Sequence, residues 1–271
     1  MSDDHLSDVT ADLRVTVTSS DPLHGSQSGA RVHPVTRDNG RRAVLKVTTA
    51  TNGAAREAAE RELQLYLHLR PHLGVRTPQL LDYRESVDTI ALLLSAHPAP
   101  RPAVHWSRND WLHLADDLAR LHSTPIPAGA PWHRPSWVAQ AFTHPDRARA
   151  EEFWSWPVER DLIDRILTDI ASLQATMDPL ADGLLHGDCH TDNILIEGNQ
   201  LVWTDWQGAG AGNPAGEFAF PSVRATPSGT TLPQQDIIGP TQTPEVSTAL
   251  KSVAPHPMDT MTLAIRIYIY V

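Results

Sequence analysis

The chain reads as an α+β fold, in which an N-terminal antiparallel sheet with one helix precedes a mainly helical C-terminal lobe. Three observations predict it. Short β-like runs alternate with turn signals through roughly the first hundred residues, amphipathic helical stripes follow them, and a proline-rich break, HPAPRP at 97–102, stands between the two.

The β-like runs fall at 14–18, 30–35 and 43–48, separated by SSDPLHGSQSG and TRDNG. Asn39-Gly40 is a hairpin signal, because both residues tolerate positive φ. From about residue 54 to 69, Ala59, Leu63, Tyr66 and Leu67 recur at helical spacing with charged residues between them, and Pro71 and Gly74 close that helix. Thr77-Pro78 leads into a further strand, and TIALLLS at 89–95 reads as a strand buried on both faces.

Beyond the break, Trp111, Leu114, Ala115, Leu118 and Leu121 form one helical stripe, and Leu162, Ile163, Ile166, Ile170 and Leu173 form another. The tryptophans between them, Trp132, Trp137, Trp154 and Trp156, read either as local core or as a wall over a flat or cationic substrate. After Phe220 the composition shifts to seven prolines with many Ser and Thr, which predicts poorly ordered chain ending in an apolar β-like segment.

With 271 residues and 41% hydrophobic content the chain can bury a sizeable core. The single cysteine, Cys189, excludes an intramolecular disulfide framework and any multi-cysteine zinc site, which fits a reducing cytoplasm. MSDDHLSDVT carries acids and no apolar signal region, and no apolar run approaches the roughly 18 residues needed to span a bilayer. A soluble, cytoplasmic protein is expected, with no membrane partner. A net charge of −10 disfavours nonspecific attraction to nucleic acid or anionic lipid.

The chemistry concentrates in 184–206. Leu184-Leu185 runs into His186-Gly187-Asp188-Cys189-His190-Thr191-Asp192-Asn193, then an apolar run, a turn at 197–200, and a second run ending in Asp205-Trp206. This predicts a polar loop feeding a two-stranded hairpin whose second strand delivers Asp205 next to the loop. Magnesium takes hard oxygen donors, which Asn193 and Asp205 offer. Phosphoryl transfer needs positioning, charge neutralisation and one carboxylate to orient the attacking hydroxyl, a role that suits Asp188. A hydrolytic zinc centre on His186, Asp188 and His190 is the reading from another chemistry.

The pattern His-Gly-Asp-x-His-x-x-Asn followed by Asp-Trp resembles the aminoglycoside phosphotransferase family and its choline, fructosamine and ecdysteroid kinase-like relatives. The resemblance implies a bilobal protein-kinase-like fold, Asp188 as catalytic base, Asn193 and Asp205 as magnesium ligands, and His186 and His190 as supports of the loop. Ala43-Val44-Leu45-Lys46-Val47 looks like the strand lysine that holds ATP phosphates. Its charge, set in an apolar run, needs a partner on the following helix, where Glu57, Glu60 and Glu62 are available. Glu62-Leu-Gln-Leu-Tyr66 most resembles the family's pattern and selects Glu62. Gly25, Ser26 and Ser28 lie between two strands, where backbone N–H groups and hydroxyls could cradle phosphates. Ser95 to Pro98 would be the hinge that meets adenine through backbone groups. Glu217 stands where relatives usually carry Asp.

The resemblance thus implies three segments: 1–97 as a β-rich ATP-binding lobe, 98–220 as a helical lobe with the catalytic loop, and 221–271 as a Pro/Thr-rich tail. It further implies an ATP- and Mg2+-dependent kinase of a small hydroxylated acceptor, such as an aminoglycoside, another antibiotic or an amino alcohol. Antibiotic resistance would follow from the first two, and the protein is expected to be a monomer or weak dimer. Relatives continue with several helices where this chain has its tail. The alternative is therefore an inactive nucleotide-binding remnant.

Overall fold

The computed structural model describes residues 3–19, 30–50, 52–129, 131–133, 183–212, 214 and 217. Contacts divide the chain into two compact units, Met1–Pro100 with Asn193–Ala209, and Arg101–Asp192 with Gly210–Val271.

The first unit is built on a five-stranded antiparallel sheet. Strands β1 (Val15–Val17), β2 (Ala30–Arg37), β3 (Arg42–Thr49), β4 (Leu80–Glu85) and β5 (Thr89–Ser95) lie in the order β1-β2-β3-β5-β4. The β2–β3 hairpin turns at Asp38-Asn39-Gly40, where the Gly40 amide donates to the Arg37 carbonyl at 2.8 Å. Only Gly40 takes positive φ, at 75°, while the Asn39 carboxamide accepts the Arg41 amide at 3.0 Å. This is the hairpin loop that places one left-handed residue after a tight turn, and glycine occupies that position at no steric cost.

Where the sequence predicts only β-like runs, the chain opens with helix α1 (Asp3–Asp12). Leu6, Val9 and Leu13 recur at helical spacing and pack on one face of the sheet, against Val35, Ala43, Leu45, Val47, Ala91 and Leu93. Pairing sets Leu45 opposite Leu93, both nearly inaccessible, and each such burial stabilises by roughly 1.5–3 kcal/mol. The alternation of β3 turns Lys46 and Thr48 to the opposite face.

Helix α2 (Gly53–Gln64) starts at an N-cap, with the Asn52 side chain accepting the Ala55 amide at 2.9 Å. It continues into a wider π-type segment, Leu65–Leu69, which rotates the apolar face by a fraction of a turn. Leu65, Tyr66 and Leu69 are buried there, while Leu67, expected on the core face, is only half-buried.

In the second unit, α3 (Arg108–His122) begins with a reciprocal capping box: Ser107 accepts the Asp110 amide at 3.2 Å and Asp110 accepts the Ser107 amide at 2.7 Å. Its buried stripe is Trp111, Leu114, Ala115, Leu118 and Leu121, joined by Asp117. Strand β6 (Gly183–Leu185) pairs antiparallel with β9 (Gly210–Gly212). Gly183 lies so close to the end of α3 that a Cβ there would stand 3.0 Å from the His122 carbonyl oxygen. Trp132 is buried and its carbonyl accepts the Ala211 amide at 2.9 Å, a core position. Trp137, Trp154, Trp156, the stripe from Leu162 to Leu173, and the tail after Phe220 lie outside the described residues.

Between these, β7 (Ile194–Glu197) and β8 (Gln200–Trp203) form a hairpin that belongs to the first unit. Gly198, at φ 65°, supplies its turn.

Candidate active site

Lys46 projects from β3 on the face turned away from α1 and is 5% exposed. A buried ammonium needs partners, and it has two: Glu62 Oε2 at 2.6 Å and Asp205 Oδ1 at 2.6 Å. Burial by itself would drive Lys46 toward neutrality. The charges of Asp205 and Glu62 overrule it and raise its pKa above the ordinary lysine value, so Lys46 stays an ammonium. Of the three glutamates open on α2, Glu57 faces solvent, Glu60 pairs with Arg56 at 2.5 Å, and Glu62 turns inward to Lys46.

Asp205 follows β8 and adopts left-handed backbone angles, φ 62° and ψ 64°, which among non-glycine residues aspartate and asparagine tolerate best. The next residues form a tight 3-10 turn, Trp206–Gly208, in which the Trp206 amide donates to Glu62 Oε1 at 3.2 Å and the Trp206 indole donates to the Trp203 carbonyl at 3.0 Å. Glu62 therefore uses one oxygen on Lys46 and the other on the backbone beside Asp205.

Asn193 lies at the same end of the β7–β8 hairpin. Its carbonyl accepts both the amide of Thr204, at 2.9 Å, and the Thr204 hydroxyl, at 3.0 Å, one residue before Asp205. The Asp205 carboxylate, which already holds a cation at 2.6 Å, and the Asn193 carboxamide are donors of the hard-oxygen type that Mg2+ takes.

In the second unit, the loop after β6 is held from below by Glu217. This carboxylate is 6% exposed and accepts the His186 amide at 3.0 Å, the Gly187 amide at 2.6 Å and His122 Nε2 at 3.0 Å. Burial pushes the Glu217 carboxyl up, but His122, His186 and the Gly187 N–H outweigh it and leave the pKa below the ordinary carboxylate value. The longer side chain in place of Asp keeps a carboxylate under the loop. His122 carries no sequence signal, since 95 residues separate it from Glu217.

His186 is fully buried and its Nδ1 accepts the Asp188 amide at 3.3 Å. His190 Nδ1 accepts the Asp192 amide at 3.3 Å, and its Nε2 stands 3.5 Å from Asp188 Oδ2. With both Nδ1 atoms committed to backbone amides, the histidines brace the loop. Among the described residues no cluster of three or more His, Cys, Asp or Glu side chains could hold a metal ion, so the zinc reading finds no support. The Asp188 side chain is 43% exposed. Cys189 is buried, and burial pushes its thiol well above the ordinary value, so it is no nucleophile.

The structure thus brings together Lys46, Glu62 and Asp205, with Asn193 on the same hairpin, and sets Asp188 on a separately braced loop. Gly25, Ser26 and Ser28 lie outside the described residues. At the expected hinge, the Ser95 hydroxyl meets His97 Nε2 at 2.9 Å, and His97 Nδ1 lies 3.3 Å from Glu197 Oε1 at the hairpin turn. No helix among the described residues is long and apolar enough to cross a membrane.

Similar solved structures include the macrolide 2'-phosphotransferase MphH from Brachybacterium faecium, with a TM-score of 0.60 and 19% identity over 98% of this chain and 88% of that one. Amicoumacin kinase hAmiN, solved with AMP-PNP, Ca2+ and amicoumacin, has a TM-score of 0.58 and 12% identity over 99% of this chain and 92% of that one. Aminoglycoside phosphotransferase APH(3'')-Id from Streptomyces rimosus has a TM-score of 0.57 and 17% identity, covering 100% of both chains. At such identities the likeness shows the fold, a protein-kinase-like phosphotransferase fold. Sequence comparison with curated proteins returned no match. The sequence profile of the APH family, the phosphotransferase enzyme family, matches residues 22–229. That span takes in β2, Lys46, the loop from His186 and Asp205, and on it the chain belongs to the phosphotransferase enzyme family.

Proposed function

We propose that this phosphotransferase moves the γ-phosphate of ATP to a hydroxyl of a small acceptor of the antibiotic or amino-alcohol kind, using Mg2+. The observation that carries the reading is the buried Lys46 ammonium held by both Glu62 and Asp205 at 2.6 Å. A lysine so placed offers charge to the α- and β-phosphates, with Glu62 fixing its direction. Asn193 and Asp205 would hold the Mg2+, which when bound neutralises the phosphate charge that builds up in transfer.

Asp188 would accept the proton of the acceptor hydroxyl as its oxygen bonds to phosphorus and the bridging oxygen departs with ADP. The His190 ring beside it holds its carboxylate in place, and Glu217 holds the backbone that carries it. The acidic balance of the chain, net −10, favours a cationic acceptor. Aminoglycosides and amino alcohols carry such charge. In this reading residues 1–97 form the ATP-binding lobe and 98–220 the lobe with the catalytic loop, in the cytoplasm.

The test is ATP consumption screened against aminoglycosides, other antibiotics, amino alcohols and sugars, with two variants alongside. Asp188→Ala should cut turnover by roughly 10²-fold or more with Mg-ATP binding retained. Asp205→Ala should lose Mg-dependent ATP binding. Unchanged turnover in Asp188→Ala removes that residue's role. ATP binding without transfer to any acceptor selects the inactive remnant instead.

A further inference from the structure

Three residues that the phosphotransfer reading leaves without a task converge on the turn that carries Asp205. The Arg61 guanidinium, on α2 beside Glu62, donates to the Gln207 carbonyl. The Gln207 side-chain amide in turn donates to the Thr48 hydroxyl on β3 at 3.1 Å. All three side chains are buried: Arg61 is 5% exposed, Gln207 7% and Thr48 3%.

The arrangement is a double one. Strand β3 presents Lys46 and Thr48 two residues apart on one face, and these meet Asp205 and Gln207 respectively. Helix α2 presents Arg61 and Glu62 in succession, and these meet the Gln207 carbonyl and the Trp206 amide. Asp205 is thus pinned from β3, Trp206 from α2 and Gln207 from both. A turn whose first residue holds left-handed angles, φ 62°, is costly for a residue with a Cβ and persists only where its surroundings over-determine it.

We propose that Arg61, Gln207 and Thr48 are positioning residues that hold the Asp205 turn in its metal-binding arrangement before nucleotide arrives. This rests on the kinase reading of Asp205. When the pins are intact, Mg-ATP meets a carboxylate already in place. When one is lost, a fraction of molecules must first reset the turn, and apparent affinity falls by that fraction while turnover at saturation is kept. A purely structural loss would behave otherwise: it would lower the amount of folded enzyme and hence the maximal rate, leaving KM unchanged.

The mildest probe is Thr48→Val, which keeps shape and removes the acceptor, with Thr48→Ser as the conservative restoration and Gln207→Leu as the second variant. Isothermal titration is run with ATP plus Mg2+ and with ATP plus a chelator, alongside steady-state kinetics and amide hydrogen exchange over 205–209. Thr48→Val and Gln207→Leu should weaken Mg-ATP binding about 3- to 10-fold. Metal-free ATP binding and kcat should hold, exchange at 206–209 should quicken, and Thr48→Ser should restore wild-type values.

Binding and exchange in Thr48→Val equal to wild type would overturn the proposal, as would an equal loss with and without Mg2+. A wild-type protein that binds neither form of ATP overturns the kinase reading and this role together. Wild-type binding with unaltered variants overturns this role alone.

Discussion

Lys46 Nζ stands 2.6 Å from Asp205 Oδ1 while keeping Glu62 Oε2 at the same distance, so one buried ammonium is shared by two carboxylates. Removing it leaves Glu62 and Asp205 as like charges in a site with little water. Lys46→Met should therefore lower stability by about 3 kcal/mol, the usual cost of breaking a buried pair from one side. Replacing Glu62 as well, in Lys46→Met/Glu62→Leu, should recover part of that loss. Denaturant midpoints measure both, and a Lys46→Met chain within 1 kcal/mol of wild type would mean the pair carries little net stability.

The Glu217 carboxylate under the loop makes an acid-side prediction. Its folded pKa lies below the ordinary value, so its contribution to stability is present above the unfolded carboxylate pKa and is lost as pH falls through the folded one. Stability should decline below about pH 4. Glu217→Gln should be less stable at pH 7, by about 1–3 kcal/mol, and should show a shallower decline in acid. Unfolding free energy measured from pH 3 to 7 decides this, and parallel curves for the two proteins would refute it.

His33 predicts a second pH dependence with a different midpoint. It is 3% exposed on the α1 side of β2, and among the described residues neither ring nitrogen has a hydrogen-bond partner. Burial, with the charge of Arg31, lowers its pKa. The unfolded chain then binds a proton that the folded chain refuses, and stability falls as pH drops through about 6.5, the unfolded value. His33→Leu should remove that slope between pH 7 and 5 without loss at pH 7. A slope that survives in His33→Leu assigns it to another group.

Tyr66 is buried one helical turn beyond Glu62, and among the described residues its hydroxyl has no hydrogen-bond partner. Burial raises its pKa well above the usual phenol value, so the group stays neutral. A buried hydroxyl without a partner is a net cost. Tyr66→Phe should accordingly raise stability by about 1 kcal/mol. Thermal or denaturant unfolding reads it, and a destabilised variant would show that the hydroxyl is satisfied by bound water.

The local parts of this protein were legible as residues. The alternation in 30–48 shows its strands because side-chain direction in a strand has period two, the unbroken apolar run 89–95 shows a strand buried on both faces, and the α3 stripe shows its helix because the period there is 3.6. The His186–Asn193 loop and Asp205 stood out because their types and spacing resemble one family's motif. Helix α1 escaped, since only Leu6, Val9 and Leu13 mark it and acidic residues surround them. The π-type segment escaped as well, because one rotated turn moves burial from Leu67 to Leu65 and Leu69 without a sequence signal of its own.

By itself, then, the sequence showed the strands of the sheet, the polar loop from His186 to Asn193 and the need of Lys46 for an acidic partner. The family resemblance pointed to Glu62 for that need, and the packed chain brings it to Lys46; tertiary structure alone decided that His122 and Glu217 meet beneath the loop, and that Arg61, Thr48 and Gln207 close on the Asp205 turn. The physical reason is range. Hydrophobic period and turn chemistry act within a few residues, whereas these hydrogen bonds join groups 16, 95, 146 and 159 positions apart, which only the packed sheet and helices bring within reach.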